Sequence, residues 1–425
     1  MFRLTKKSKK SNARTGIIKT NHGSIHTPCF LPDATRASIR GLTSDDLKRL
    51  GLQSMVVNTY HLYLQPGISR IKKSDGIHKF MNWDGPLVSD SGGYQVFSLI
   101  YRDKKLGKIK NTGVEFRSTY DGSSHLLTPK KSIQLQFDLG TDLMVCFDDV
   151  PPHDIGKKGM SSSIKHTIAW AKICKKEFEN QIKKRKLGAK RPLLFAVIQG
   201  GSNIELRKKC FEALCQVGFS AKGGPASGWD GFGFGARPVD SEGNFLEDVL
   251  DYTARLIPDD KIRFNLGMGT PSDIVRSVKM GWDLFDCVIP TREARHGRLY
   301  LLRHPEQASP AKRGKAESTR HKLREGSRES RAASNRRDPS LPQRVHWVVQ
   351  DDVSINITNS KFSTDLTPIN QSSKLPELRE YTKAYLHHLF KTAEPLSIRL
   401  ATLNNVEFYM GLMSDIRMAI SKNEI

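Results

Sequence analysis

Cysteine is sparse and scattered: six in 425 residues, at Cys29, Cys146, Cys174, Cys210, Cys215 and Cys287, with no C-x-x-C pair. That spacing excludes a disulfide-stapled scaffold and a short thiolate clip, and indicates reduced, intracellular usage. Long apolar runs are missing too. No stretch approaches the about 20 residues that a membrane-spanning helix needs, and the start, Met1-Phe2-Arg3-Leu4-Thr5-Lys6-Lys7, lacks the apolar centre of a secretory leader. A cytoplasmic protein with no membrane partner is the expectation. Acid is the third shortage. Asp and Glu number 44 against 68 Lys and Arg, a net charge of +24. A soluble chain with that excess suits a polyanionic partner, because Lys and Arg on phosphates supply most non-specific affinity. The basic residues crowd into Lys6–Arg14 and Arg313–Arg344.

What is present is enough to fill a core: hydrophobic residues make up 37% of the chain, whose length suits one large barrel with additions or two domains. Short apolar runs recur with helix-like segments between them. They are Cys29 to Pro32, Ser54 to Asn58, Pro86 to Asp90, Leu143 to Asp148, Leu193 to Gln199, Gly231 to Gly235, Arg263 to Gly267 and Leu284 to Pro290. Eight candidate strands alternating with helices predict an α/β fold, a parallel (β/α)8 TIM barrel. Asn58, Asp90, Asp148, Gln199, a glycine-rich turn after Gly267, and Asp286 fall at or near the C-terminal ends of these runs. In such a barrel those ends converge on one mouth, where chemistry is placed.

Between Leu302 and Val345 the composition shifts to Arg, Lys, Ser, Ala, Glu and Pro, and too few large aliphatics remain to offset the entropy of ordering. The predicted organisation is a catalytic barrel over 1–302, a basic low-complexity and disordered insertion over 303–345, and a C-terminal region over 346–425 packed on the barrel. In the last, Trp347 to Phe362 reads as strand-rich, and Glu377 to Phe390 and Asn404 to Ile420 read as helices. Val406, Tyr409, Met413, Ile416 and Ile420 recur at helical spacing and mark one buried face.

Two runs carry the chemistry. Leu284-Phe285-Asp286-Cys287-Val288-Ile289-Pro290 is followed by Thr291-Arg292-Glu293-Ala294-Arg295, and Val88-Ser89-Asp90-Ser91-Gly92-Gly93-Tyr94-Gln95-Val96-Phe97 puts a second aspartate at the end of a second apolar segment. Carboxylates at two strand ends can divide nucleophilic and acid/base duties at a glycosidic carbon. Gly92 and Gly93 permit close backbone approach to a ligand, and Tyr94 offers a flat face for a flipped base.

These motifs, in this order, resemble the tRNA-guanine transglycosylases, which exchange guanine for a 7-deazaguanine in tRNA. The resemblance runs from about Gly16 to Tyr300 and resumes from about Ile355 to Ile420. It implies that Asp286 is the nucleophile forming a covalent RNA intermediate and that Asp90 is the acid/base. Asp148, Gln199 and Gly200 would read the base, with Ser91, Gly92, Gly93 and Tyr94 completing the substrate site. Arg292 and Arg295 would hold the anticodon backbone, and Asn58 would bond Asp90. Leu266 and Met268 are candidates for an apolar lid. The implied partners are a tRNA anticodon loop, a free 7-deazaguanine and, in this family's manner, a second copy forming a homodimer. No cofactor and no catalytic metal are implied.

The chain departs from the family pattern in two places. Where most bacterial and eukaryotic members have a C-x-C-x-x-C cluster and a distant histidine for structural zinc, this sequence has Ser373, Leu375, Leu378 and Asn404, which offer neither thiolate nor imidazole. The expectation is no metal, with the leucines as an apolar replacement. The loop Gly231-Phe232-Gly233-Phe234-Gly235-Ala236-Arg237-Pro238-Val239-Asp240 and Val150 also differ, which leaves the incoming base open between queuine and its bacterial precursor. Two other readings stay open on sequence: a catalytically silent tRNA-binding subunit, and a nucleoside hydrolase on the same barrel.

Overall fold

Each of the eight apolar runs forms a strand. The computed structural model describes the chain apart from residues 153–154, 219–227, 237, 241, 302–344 and 346–353. We number the barrel strands β1 (Cys29–Pro32), β2 (Met55–Val57), β3 (Leu87–Ser89), β4 (Leu143–Val145), β5 (Leu193–Ile198), β6 (Gly231–Phe234), β7 (Ile262–Asn265) and β8 (Leu284–Cys287). Neighbours pair in parallel in the order β1-β8-β7-β6-β5-β4-β3-β2. A parallel bridge between Asp33 and Val56, with Ala34 N–H donating to Val56 O at 2.7 Å, joins β2 back to β1 and closes the ring. The fold is the α/β barrel that the alternating pattern predicts.

The barrel interior is a packed apolar column. Cys29, Leu31, Val56, Val88, Leu143, Val145, Leu193, Phe195, Val197, Ile262, Phe264 and Leu284 form one buried cluster, joined by Ile18 and Ile25. Those two isoleucines come from an antiparallel sheet of Phe2–Lys7, Arg14–Thr20 and Gly23–Thr27 that supplies side chains to the column. Sequence reading treated Lys6–Arg14 only as a basic crowd, but Arg14 is buried. It reaches Asp283 with Nε at 3.0 Å and Nη2 at 2.5 Å, and bonds the carbonyls of Asp259 and Lys261. Gly231 and Gly233 are small because the column is full: a Cβ on Gly231 would stand 2.5 Å from the Phe195 ring, and one on Gly233 2.8 Å from Leu266.

The N-terminal end of the barrel repeats one device. Asp142, Asp230 and Asp283 each stand one residue before a strand and accept an N–H from the first or second residue of the preceding one: Leu87 N to Asp142 at 3.0 Å, Leu194 N to Asp230 at 2.9 Å, Arg263 N to Asp283 at 2.8 Å. Each is also matched to cationic or imidazole groups. Asp283 has Arg14, Asp230 has a two-pronged Arg191 at 2.7 and 2.8 Å, and Asp142 has His22 and His78 at 2.9 and 3.4 Å.

The predicted helix Asn404–Ile420 is longer and begins at Pro395, ending at Ser421. Proline at the first helical turn has no N–H to lose there, which sets the start. The predicted helix Glu377–Phe390 is broken into Pro376–Glu380 and Lys383–Lys391, because Thr382 is extended and its hydroxyl caps Tyr385 N–H. Leu375 and Leu378 are buried, and the short helix packs on the terminal one. Ser373 bonds Glu407 at 2.5 Å, and Asn404 bridges Asn370 and the Tyr300 carbonyl, each at 2.9 Å. The four positions thus carry packing and hydroxyl and amide hydrogen bonds, with no thiolate or imidazole among them, a donor set that does not fit zinc. Of the strand-rich segment expected over Trp347–Phe362, Ser354–Asn356 pairs with Arg298–Tyr300. The basic segment 303–345 lies outside the described residues, except for buried Val345. A three-stranded excursion between β3 and β4, Gly107–Lys110, Gly113–Arg117 and Ser124–Leu127, was not anticipated.

Candidate active site

Residues two apart on a strand face the same side. Leu31, Val56, Val88, Val197 and Leu284 point into the column, so Asp33, Asn58, Asp90, Gln199 and Asp286, two places further along, point inward at its upper end. Strand alternation, not any local motif, builds the site. Above the column opens a cavity of about 550 Å³ lined by Asp33, Asn58, Asp90, Ser91, Tyr94, Asp148, Leu266, Met268, Asp286 and Arg292, among others.

Asp90 is held by three donors: Asn58 Nδ2 at 2.5 Å, Thr59 N–H at 2.7 Å and Gly92 N–H at 3.2 Å. Burial pushes its carboxyl up, and although these bonds favour the anion it remains raised, to about 6. Gly92, at φ +77°, begins the helix Gly93–Arg102. A Cβ there would meet Tyr60 N at 3.1 Å, and one on Gly93 would meet Asp148 O at 3.2 Å. These glycines pack the turn tightly enough to bring Ser91 and the half-exposed Tyr94 to the cavity wall.

Asp148 is buried in the cavity wall and accepts Gln199 Nε2 at 2.7 Å. Burial raises it to about 7 in spite of that bond. Gln199 and Gly200 stand behind the wall instead of lining it, and Gln199 Oε1 is a buried acceptor without a partner, poised for a donor. Asp286 accepts Gly267 N–H at 2.9 Å. Burial raises its carboxyl, partly countered by the Gly267 bond, and the charge of Asp90 raises it further. Leu266 and Met268 line the cavity. Asp149 does not: its carboxylate turns to His166 at 2.8 Å. His61 lines the rim with Nδ1 3.2 Å from Tyr120 Oη.

Arg292 and Arg295 lie on the helix Ile289–Arg295. Arg292 reaches the cavity, whereas Arg295 stands off it, its Nη1 on Thr291 O at 3.2 Å. Sequence reading missed three features here. The loop after β1 adds exposed Arg36 and Arg40, with Arg40 close enough to lower the pKa of Arg295 after burial has done so. Arg207 is buried and fastens the tops of β5 and β6 by bonding the carbonyls of Gly201, Ile198 and Gly235 at 2.7, 3.0 and 3.1 Å. Asp33 joins the ring of carboxylates; it was findable, since it follows its strand as Asn58 and Asp90 follow theirs.

Among the described residues, one group has metal-capable geometry, His22, His78 and Asp142. It sits at the opposite end of the barrel, and its atoms already bond one another, Leu87 N–H and Gly85 O. None of the described helices is long and apolar enough to cross a membrane.

This arrangement can place a glycosidic carbon against one carboxylate, a leaving base against another, and the edge of a purine against a third, with arginines at the mouth for phosphates. Comparison with known proteins agrees with it. A family model described as queuine tRNA-ribosyltransferase matches residues 8–425. The proteins named queuine tRNA-ribosyltransferase from Halothermothrix orenii and Thermoanaerobacter pseudethanolicus are 35% and 36% identical over 424 residues, covering 100% of this chain and 94% of each relative. That of Staphylococcus epidermidis is 34% identical over 423 residues, 99% of this chain and 92% of the relative. The chain belongs to the queuine tRNA-ribosyltransferase family.

Proposed function

We propose that this chain exchanges guanine at the wobble position of tRNA for a 7-deazaguanine, by double displacement through a covalent aspartyl-RNA intermediate. The observation that carries the reading is the pairing of two inward carboxylates, Asp286 and Asp90, at one cavity whose wall also holds Asp148. Asp286 attacks the ribose carbon as the bond to guanine breaks. The Gly267 N–H orients its carboxylate, and the enclosed floor keeps it poorly solvated and reactive. Asp90, fixed by Asn58 and Thr59, gives a proton to the departing base and takes one from the incoming base; a carboxyl poised near 6 can do both. Asp148 accepts from the purine's N1-H and exocyclic amine, and the Gln199 amide completes the edge. Tyr94 stacks on the base. Arg292 and Arg295, with Arg36 and Arg40 beside them, hold the backbone phosphates.

Retention of both Asp90 and Asp286 disfavours a silent binding subunit. The test is incubation of the protein with tRNA carrying labelled guanine and a free deazapurine, either queuine or its aminomethyl precursor. Release of label matched by uptake of the base is expected. Release with no base taken up, leaving an abasic site, would make it a hydrolase; no release would make it a binding subunit.

A further inference from the structure

Asp33 is a cavity carboxylate that, unlike Asp90, Asp148 and Asp286, is assigned no task in the reaction above. It ends β1, with Pro32 registered to Cys287 of β8 and Leu31 to Asp286. On its other side it bridges Val56 of β2, the strand that leads to Asn58. It lines the cavity, and among the described residues its carboxylate receives no hydrogen bond. Its surroundings push its carboxyl well above the usual carboxylate range, first by burial and then by the charges of Asp286 and Asp90. A part-buried carboxyl that faces the cavity with unused hydrogen-bonding capacity becomes costly once a ligand excludes water, unless the ligand brings a group to use it.

Ring order says what arrives. Asp148 and Gln199, which meet the base edge, follow β4 and β5, and β5 lies across the ring from β1. Asp286, which meets the ribose carbon, is on β8, the immediate neighbour of β1. A nucleoside laid from β5 toward β8 presents its sugar to Asp33, and the group adjoining the attacked carbon is the 2′-hydroxyl. We infer that Asp33 is a specificity-determining residue that hydrogen-bonds the 2′-hydroxyl of the ribose being attacked by Asp286, so that the site accepts RNA and rejects DNA at the target nucleotide. A hydroxyl and a carboxyl can exchange both donor and acceptor roles, and a deoxy sugar would leave the Asp33 group enclosed and unpaired, the situation in which a site rejects most strongly.

This inference rests on the proposed base exchange, and its test separates the two. Guanine exchange is measured on an anticodon-stem hairpin RNA and on the same hairpin with a single 2′-deoxy target nucleotide, for the unaltered protein, Asp33→Val and Asp33→Asn. The unaltered protein should prefer the ribose substrate roughly tenfold or more in kcat/KM, in line with a hydrogen bond left unmade. Asp33→Val should lose about that factor on the ribose substrate and little further on the deoxy one, bringing the ratio near one. Asp33→Asn should fall between. If Asp33→Val does not fold or turn over, Asp33→Asn decides: a ratio cut by about threefold supports the inference, and an unchanged ratio overturns it. No exchange by the unaltered protein on the ribose hairpin would sink the proposed function itself, whereas normal exchange with a ratio indifferent to Asp33 would sink only this assignment.

Discussion

The two ends of the barrel use the same residue, aspartate, in opposite ways. At the N-terminal end Asp142, Asp230 and Asp283 each have a backbone N–H and at least one basic side chain. Burial by itself would raise Asp142, but its bonds with His22 and His78 bring it down to about 2. At the C-terminal end Asp33, Asp90, Asp148 and Asp286 converge on one cavity, the bonds to them come from neutral donors, and all four are raised. A carboxylate matched to its surroundings stabilises the fold. One left unmatched costs stability and keeps reactivity, and concentrating such groups in one place is how a site stores capacity for chemistry. The difference between the ends is not in the residue type but in which partners the chain brings to it.

Substitution at either end should therefore fail differently. Asp286→Asn keeps shape but removes the nucleophile, and base exchange should fall by about 10⁴-fold or more with tRNA binding retained; labelled-guanine exchange and a binding titration check both. Asp90→Asn should lose on the order of 10²–10⁴-fold by the same assay, with folding intact. At the other end Asp283→Asn should leave buried Arg14 with only the more distant, half-exposed Asp259 carboxylate at 3.5 Å and destabilise by about 3 kcal/mol in urea unfolding, activity falling only as the folded fraction does. An Asp283→Asn protein of unchanged stability would remove the contrast.

The pH dependences should oppose one another as well. For the cavity carboxylates the folded pKa lies above the ordinary value of 3.8, so their favourable contribution is present at low pH and is lost as pH rises through about 6 to 7. For Asp142, lowered to about 2, the contribution is present above 3.8 and is lost as pH falls toward 2. Melting temperature should decline modestly from pH 5 to pH 8, and Asp148→Asn should flatten that decline and raise stability at pH 8 by about 1 kcal/mol while abolishing base recognition. Over the same range kcat/KM for tRNA should pass through a maximum near pH 6 to 7, because the nucleophile and the base reader work as anions while Asp90 must still hold the proton it gives to the departing base. A rate that climbs steadily to pH 8 would contradict the acid role of Asp90, and one that falls steadily from pH 5 would contradict the anionic roles of Asp286 and Asp148. The smallest effect should come from chelation. With serine, leucine, leucine and asparagine at the family's zinc positions, a strong chelator should leave the melting temperature unchanged, and a drop of several degrees would show that a metal holds the protein together.

The active end was the more legible of the two in the sequence. Its residues follow directly on short apolar runs, and alternation along a strand carries them inward, so Asn58, Asp90 and Asp286 could be named from pattern alone. Asp33 obeys the same rule, one residue beyond the apolar run Cys29–Pro32. The N-terminal end was illegible for a physical reason: Arg14 and Asp283 are separated by 269 residues, and nothing in the basic crowd Lys6–Arg14 distinguishes the one arginine that is buried. The helix expected over Glu377–Phe390 failed at Thr382, where a capping hydroxyl competes with helical continuation. Gln199 was picked out correctly as a polar strand end, yet its place behind the cavity wall depends on the packing of Arg207 and Gly235, which no local pattern encodes.

The central claim, that the unmatched end performs covalent chemistry through Asp286, is tested most directly by trapping the intermediate. The protein is mixed with tRNA in the absence of a second base, quenched in denaturant and separated by size. The account predicts an RNA–protein adduct that withstands denaturant, disappears when guanine is added back, forms with Asp283→Asn in proportion to its folded fraction, and is missing with Asp286→Asn. An adduct of undiminished yield in Asp286→Asn would place the nucleophile elsewhere and contradict the account.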